Sequence, residues 1–148
     1  MTLKLAKFEL DIDTQKTQAF YQTASAVSGE CSCSGCRNYK KSIETLPKEI
    51  KAFFAQLGID IKKPAEASVY NKNANNSNFY GGFYHICGKL ISKNKKWDWV
   101  ELLPGTIDDF RISFHNDCAL LKPSFPNPVV QLEILANLPW VLDEPNDY

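Results

Sequence analysis

Phe79-Tyr80-Gly81-Gly82-Phe83-Tyr84-His85-Ile86-Cys87-Gly88-Lys89-Leu90-Ile91-Ser92 is the stretch that decides the fold. From Pro64 onward the apolar pattern has period 2, and this run reads as one long strand. Gly81-Gly82 inside it signals a bulge or a close backbone approach. Before it, Ala67–Tyr70 reads as a strand and Asn71–Asn78 as a polar turn. After it, Lys93–Lys96 reads as a turn and Trp97–Leu103 as a strand stopped by Pro104-Gly105. In Phe110–His115, Phe110, Ile112 and Phe114 alternate with Arg111, Ser113 and His115. Pro123, Pro126 and Pro128 mark an irregular connection. A last strand spans Val129–Leu135, and the tail Leu138–Tyr148 turns acidic.

The N-terminal half has a different period. Leu3–Ile12 reads as a strand with Phe8, Leu10 and Ile12 on one face and Glu9, Asp11 and Asp13 on a solvated one. Asp13 and Thr14 are good N-caps for a helix over about 15–26, with Phe20, Ala24 and Val27 on one side and Ser28-Gly29 ending it. A short helix over Arg37–Glu44 turns Tyr39, Ile43 and Leu46 inward. Pro47 opens a third helix, in which Ile50, Phe53, Phe54 and Leu57 form one apolar face and Gly58 is the C-terminal cap. Helices come first and strands later, without βαβ alternation. This order predicts an α+β fold, with N-terminal helices packed on a mostly antiparallel sheet. A small barrel-like sheet is the alternative.

Composition sets the outer bounds. A chain of 148 residues fits a single globular domain over 1–148. Scaling rules bury roughly 69% of the unfolded surface at this size, enough for a core without staples. An apolar content of 44% excludes a disordered chain. Seventeen basic residues balance seventeen acidic ones, which argues against nucleic-acid and anionic-membrane partners. The expected partner is a protein or small molecule. No apolar run approaches the ~20 residues of a membrane span. The first residues lack the apolar core of a signal peptide, so a cytoplasmic location with reduced thiols is expected.

One constellation stands out. Cys31-Ser32-Cys33-Ser34-Gly35-Cys36 places three thiols within six residues of a loop. Such a set can converge on one tetrahedral ion, zinc first among the candidates. A fourth ligand would have to come from His85, Cys87, His115 or Cys118. The fourth ligand has no clear sequence partner, so the sequence favours a metal-free, packed or capping loop, in which Cys36 opens a helix and is the most acidic thiol. Cys36 would then act as nucleophile or redox sensor with His85 or His115 as base and Asp117 orienting the ring. Phosphate-binding, serine-hydrolase, zinc-protease and dinucleotide motifs do not occur. The aromatics Tyr80, Phe83, Tyr84, Trp97, Trp99 and Trp140 read as core and cross-strand pairs, with a recognition groove as the alternative.

Cys31-Ser-Cys-Ser-Gly-Cys-Arg-Asn38-Tyr39, Phe79–His85, Gln131–Ile134 and Leu138-Pro-Trp-Val-Leu-Asp143 together resemble a family of small uncharacterised bacterial proteins. The resemblance implies a bacterial cytoplasmic protein. It carries over no activity, cofactor or functional residue. The residues themselves favour a small binding or interaction domain, with a structural metal at the cysteine loop as its candidate centre. The alternative is a thiol enzyme or redox sensor.

Overall fold

The computed structural model describes residues 1–26, 31–92, 98–102 and 110–148. A hairpin of β1 (Thr2–Leu5) and β2 (Phe8–Ile12) opens the chain. Then come α1 (Thr14–Thr23), α2 (Ser34–Ser42), a 3-10 turn over Ile43–Thr45, and α3 (Lys48–Gln56). The strands β3 (Glu66–Lys72), β4 (Ser77–Leu90), β5 (Val100–Glu101), β6 (Arg111–His115) and β7 (Val129–Pro139) complete it. All pairings among the described residues are antiparallel, in the order β1-β2-β4-β7-β6-β5, with β3 also on β4. The fold is α+β, as the order of periods predicts.

Alternation along the strands sets which face is core. Tyr80, Tyr84 and Ile86 of β4 join Ile112 and Phe114 of β6 and the even-numbered residues of β7 from Val130 to Leu138 in a buried layer. The helices close over it. Tyr39 of α2 meets the Tyr80 ring at 5.4 Å, and Phe54 of α3 meets Tyr84 at 5.3 Å and Phe110 at 6.1 Å. The Tyr39 hydroxyl donates to Tyr84 Oη, 2.5 Å away, and Tyr84 passes its own proton to the Ile61 carbonyl at 2.6 Å. Burial pushes both phenols far above the usual tyrosine range, so they stay neutral donors.

The 14-residue β4 outruns its partners on one edge. β7 pairs with it from Ser77 to Cys87. The opposite edge is shared: β3 covers Asn78–Phe83 and β2 covers 88–90. Side chains of α1 fill the space between. Tyr21 Oη accepts the His85 N–H at 3.0 Å and donates to the His85 carbonyl at 2.9 Å. Thr17 Oγ1 accepts the Cys87 N–H at 3.0 Å, and the Asp13 N–H donates to the Cys87 carbonyl at 2.8 Å. Thr17 and Tyr21 stand four residues apart on one helix face, which lets them act as a short substitute strand.

That duty decides which residues of α1 are fully buried: they are Thr17 and Tyr21, while the expected Phe20 packs half-buried at the core edge, 4.5 Å from the Phe125 ring, and the helix stops at Thr23, before Ala24. Val27 and Ser28-Gly29 lie outside the described residues. The single strand expected over Leu3–Ile12 is a hairpin, because Ala6 takes a left-handed turn conformation with φ 50°. Asp13 does cap α1, accepting the Lys16 N–H at 3.0 Å. The second helix begins at Ser34, three residues before the expected Arg37, and Tyr39, Ile43 and Leu46 are buried as predicted. In α3 the core residues are Ile50, Phe54 and Leu57, while Phe53 is only half-buried and packs edge-on against Phe54 at 5.8 Å. Gly58 ends this element with φ 85°, and a Cβ there would meet the Thr14 carbonyl at 2.5 Å.

The strands also shift at their ends. β3 extends to Lys72 and β4 starts at Ser77, leaving 73–76 as the turn, and β7 runs four residues beyond Leu135. The irregularity near Gly81-Gly82 sits on the neighbouring strand, between Val69 and Asn71 of β3. The glycines themselves permit the close approach. A Cβ on Gly81 would meet Tyr70 Oη at 2.2 Å, so the Tyr70 ring lies across bare backbone. The expected turn over Lys93–Lys96 and the Pro104-Gly105 stop lie outside the described residues.

Two substitutions test this packing. Phe54→Ala should cost about 3–5 kcal/mol in urea melts, and Phe53→Ala less than half of that, because only Phe54 leaves a closed cavity. Tyr21→Phe keeps the ring but orphans the His85 N–H and carbonyl. A loss of about 1–3 kcal/mol is expected, and a loss near zero would mean that α1 does not seal the β4 edge.

Candidate metal centre

The cysteine loop runs straight into α2. Cys33 is the N-cap of that helix, with extended backbone, and its Sγ accepts the Cys36 N–H at 3.4 Å. A helix leaves its first N–H groups without intrahelical partners, and a cap acceptor satisfies one of them. This geometry turns Cys33 back over the first turn, where Cys36 sits. Cys31 reaches in from the loop and its thiol contacts Cys33 Sγ at 3.0 Å. The three sulfur atoms lie within 4.8 Å of one another.

Exposure differs across the trio. Cys33 is exposed, Cys31 intermediate and Cys36 buried. The acidities of Cys33 and Cys36 move in opposite directions. Burial opposes ionisation of Cys33. Hydrogen bonds from the Cys31 thiol, the Cys36 N–H and thiol, and the Tyr148 hydroxyl outweigh it and bring the thiol down to about 7. Burial drives the Cys36 thiol far up, and the neighbouring sulfurs of Cys31 and Cys33 add to the effect. The expectation that Cys36 is the most acidic thiol is therefore overturned. The helix starts three residues earlier than the sequence suggested, so Cys33 takes the cap and Cys36 falls inside the first turn.

A polar frame holds the loop from beneath. Tyr80 Oη donates to the Gly35 carbonyl at 2.8 Å. Asn38 is fully buried, and its amide nitrogen donates to Tyr80 Oη at 3.2 Å and to the Pro139 carbonyl at 3.1 Å. Its Oδ1 accepts the Val141 N–H at 2.8 Å. Each half of the buried amide is thus satisfied. The C-terminal segment lies over the loop. Tyr148 Oη accepts the Gly35 N–H at 3.1 Å, Arg37 pairs with Glu144, and Trp140 Nε1 donates to the Glu144 carbonyl at 2.8 Å. A Cβ on Gly35 would stand 2.7 Å from Tyr148 Oη, so a larger residue there would push the Tyr148 side chain off the loop.

The four expected fourth ligands are elsewhere. Among the described residues, the group able to hold an ion consists of Cys31, Cys33 and Cys36. His85 projects from the face of β4 opposite Tyr84 and donates from Nε2 to Gln131 Oε1 at 3.2 Å, and burial lowers its pKa. Cys87 shares that face, with its thiol directed to the Asn127 carbonyl at 3.7 Å. His115 Nε2 faces Glu133 Oε2 at 3.7 Å, and the Cys118 thiol points to the Asn116 carbonyl at 3.6 Å. Burial raises both the Cys87 and Cys118 thiols, aided by Asp13 and Asp117 respectively. Because α2 packs on the other face of the sheet, neither histidine forms the base of a Cys36 pair.

Sequence reasoning missed Asn38, Tyr80, Arg37, Glu144 and Tyr148 as the frame of the site. A signal for one was present: a polar residue flanked by Cys36 and Tyr39 on the inward side of a helix needs a buried partner. The aromatics divide as follows. Tyr80 and Tyr84 are core, while Phe83 and Trp99 line a cleft of about 170 Å³ with Tyr70, Glu66 and Glu133 on the outer face of the sheet. Trp97 lies outside the described residues.

Alkylation rates measured against pH test the assignment of the acidic thiol. Thiolate is the reacting form, so Cys33 should be modified first, with a rate that climbs through a midpoint near pH 7. Cys36 should stay unmodified in the folded protein. Preferential labelling of Cys36 would reverse the assignment. Comparison of the chain with protein-family models, with curated proteins and with solved structures finds no match.

Proposed function

We propose that this chain is a small binding domain whose working centre is a thiolate metal site formed by Cys31, Cys33 and Cys36. The observation that supports it is the convergence of three sulfurs within 4.8 Å at one helix start. Soft thiolates suit zinc and monovalent copper, whereas hard cations such as magnesium and calcium take oxygen donors. Three protein thiolates leave the fourth position of a tetrahedral ion to water or to a group from outside. This reading departs from the closed four-ligand centre that a structural zinc would require, and from the metal-free loop that the sequence favours. Reduced thiols are a condition for this function, which fits a cytoplasmic location.

Binding must displace protons. Cys36 holds its proton far above neutral pH and Cys33 releases its own near 7. The ion competes with those protons, so affinity should rise with pH. It also replaces crowded sulfur contacts with a single shared cation, which ties the loop to α2.

Thermal melts with zinc and with chelator, together with metal analysis of the purified protein, test this reading. A ligand that binds only the folded state stabilises it by about 2.7 kcal/mol at a hundredfold excess over Kd. Zinc should raise the melting temperature of the wild type and leave a Cys31→Ser, Cys33→Ser, Cys36→Ser triple variant unchanged. Equal responses of the two proteins would refute the site.

A further inference from the structure

The same loop contains a second pattern. Cys33-Ser34-Gly35-Cys36 is a C-x-x-C run that spans the start of α2. The two sulfurs occupy unlike positions. Cys33 caps the helix from outside and is exposed, while Cys36 lies one turn inward and is 6% exposed. The Cys36 N–H already points at Cys33 Sγ, 3.4 Å away. Helix N–H groups favour an anionic sulfur there, which suits Cys33 to the attacking role. Among the described residues, an incoming molecule finds Cys33 more accessible than Cys36.

We infer that Cys33 and Cys36 form a thiol–disulfide exchange pair acting on accessible low-molecular-weight disulfides. This activity belongs to the metal-free protein and does not depend on the metal reading. The Cys33 thiolate attacks one sulfur of a substrate R–S–S–R′. A mixed disulfide Cys33–S–S–R forms, the S–S bond of the substrate breaks, and R′–S⁻ leaves with the electron pair and takes up a proton. The Cys36 thiol then loses its proton and attacks Cys33 Sγ. The Cys33–Cys36 disulfide forms, R–S⁻ leaves and is protonated. In sum, one substrate disulfide is reduced to two thiols and the protein dithiol is oxidised by two electrons. Cys31, which contacts Cys33 Sγ at 3.0 Å, is a positioning residue that steadies the attacking sulfur. A bound ion and this disulfide require the same sulfurs, so the two states exclude each other.

The experiment uses full-length protein, reduced and stripped with a chelator, then exposed to cystamine or oxidised glutathione. Products are quenched by alkylation and mapped by mass spectrometry. The wild type should lose two hydrogens and yield the Cys33–Cys36 disulfide. Cys36→Ser combined with Cys31→Ser, which removes both thiols next to Cys33, should stop at the mixed disulfide on Cys33. Cys31→Ser should still close the internal disulfide. Cys33→Ser should lose the reaction at this loop, and its fold is protected because serine is a favoured N-cap. Exchange that persists in Cys33→Ser overturns the inference. So does a Cys31→Ser, Cys36→Ser double variant that accumulates no mixed disulfide, or a wild-type product that links Cys31 to Cys33. Adding zinc beforehand separates the two readings: lack of protection by zinc would count against the metal site alone.

Discussion

The backbone of β4 imposes the constraint on which the rest of the structure depends. A central strand must pair its N–H and carbonyl groups on both edges, since each buried orphan costs about 1–3 kcal/mol. β7 satisfies one edge along its length. The other is assembled from β3, two side chains of α1, and β2. The hairpin, the first helix and the third strand are therefore placed by a single row of hydrogen-bonding groups. A helix in this position cannot be amphipathic in the usual sense. It must present a hydroxyl at two successive turns, and Thr17 and Tyr21 do so.

Placement of α2 follows from a different economy. Its contact with the sheet carries buried polar groups as well as apolar area. Tyr39, Tyr84 and the Ile61 carbonyl form one chain, and Asn38, Tyr80 and the Gly35 carbonyl form another. Burying such groups without partners is costly, and meeting all of them requires one orientation of the helix. The helix start is thereby held in register with the end of β7 and with the segment that follows it. That precision brings three sulfurs together. The cluster is a consequence of how α2 is anchored, and the thiols inherit unequal environments from their depth in the first turn.

Much of the fold was legible before any coordinates. Period 2 from Pro64 onward located the sheet strands, and the apolar spacing around Phe54 located α3. Local chemistry decides such elements, because a segment buries whichever face its own periodicity creates. Errors arose where a tertiary partner overrode that periodicity. Apolar spacing over about 15–26 points to Phe20, Ala24 and Val27, yet the fully buried residues of α1 are the two that bond to β4, with Phe20 only half-buried beside them. Phe53 fits an apolar stripe as well as Phe54 does, and only the position of Tyr84 and Phe110 makes one of them core. The Ala6 turn was invisible because alanine gives no turn signal.

The candidate site divides along the same line. Sequence alone determined that three thiols fall within one six-residue stretch, since spacing along a chain bounds their separation whatever the fold. It also determined the order of helices and strands, because the hydrophobic period is a local property. Tertiary structure decided which thiol caps the helix, which is buried, and that no histidine among the described residues joins them. Those outcomes depend on which face of the sheet each strand residue takes and on groups distant in sequence, Tyr80, Pro139 and Tyr148 among them. Their contacts with Gly35 and Asn38 join residues 113, 101 and 45 positions apart. No local pattern encodes them, because they follow from the packing of the whole sheet.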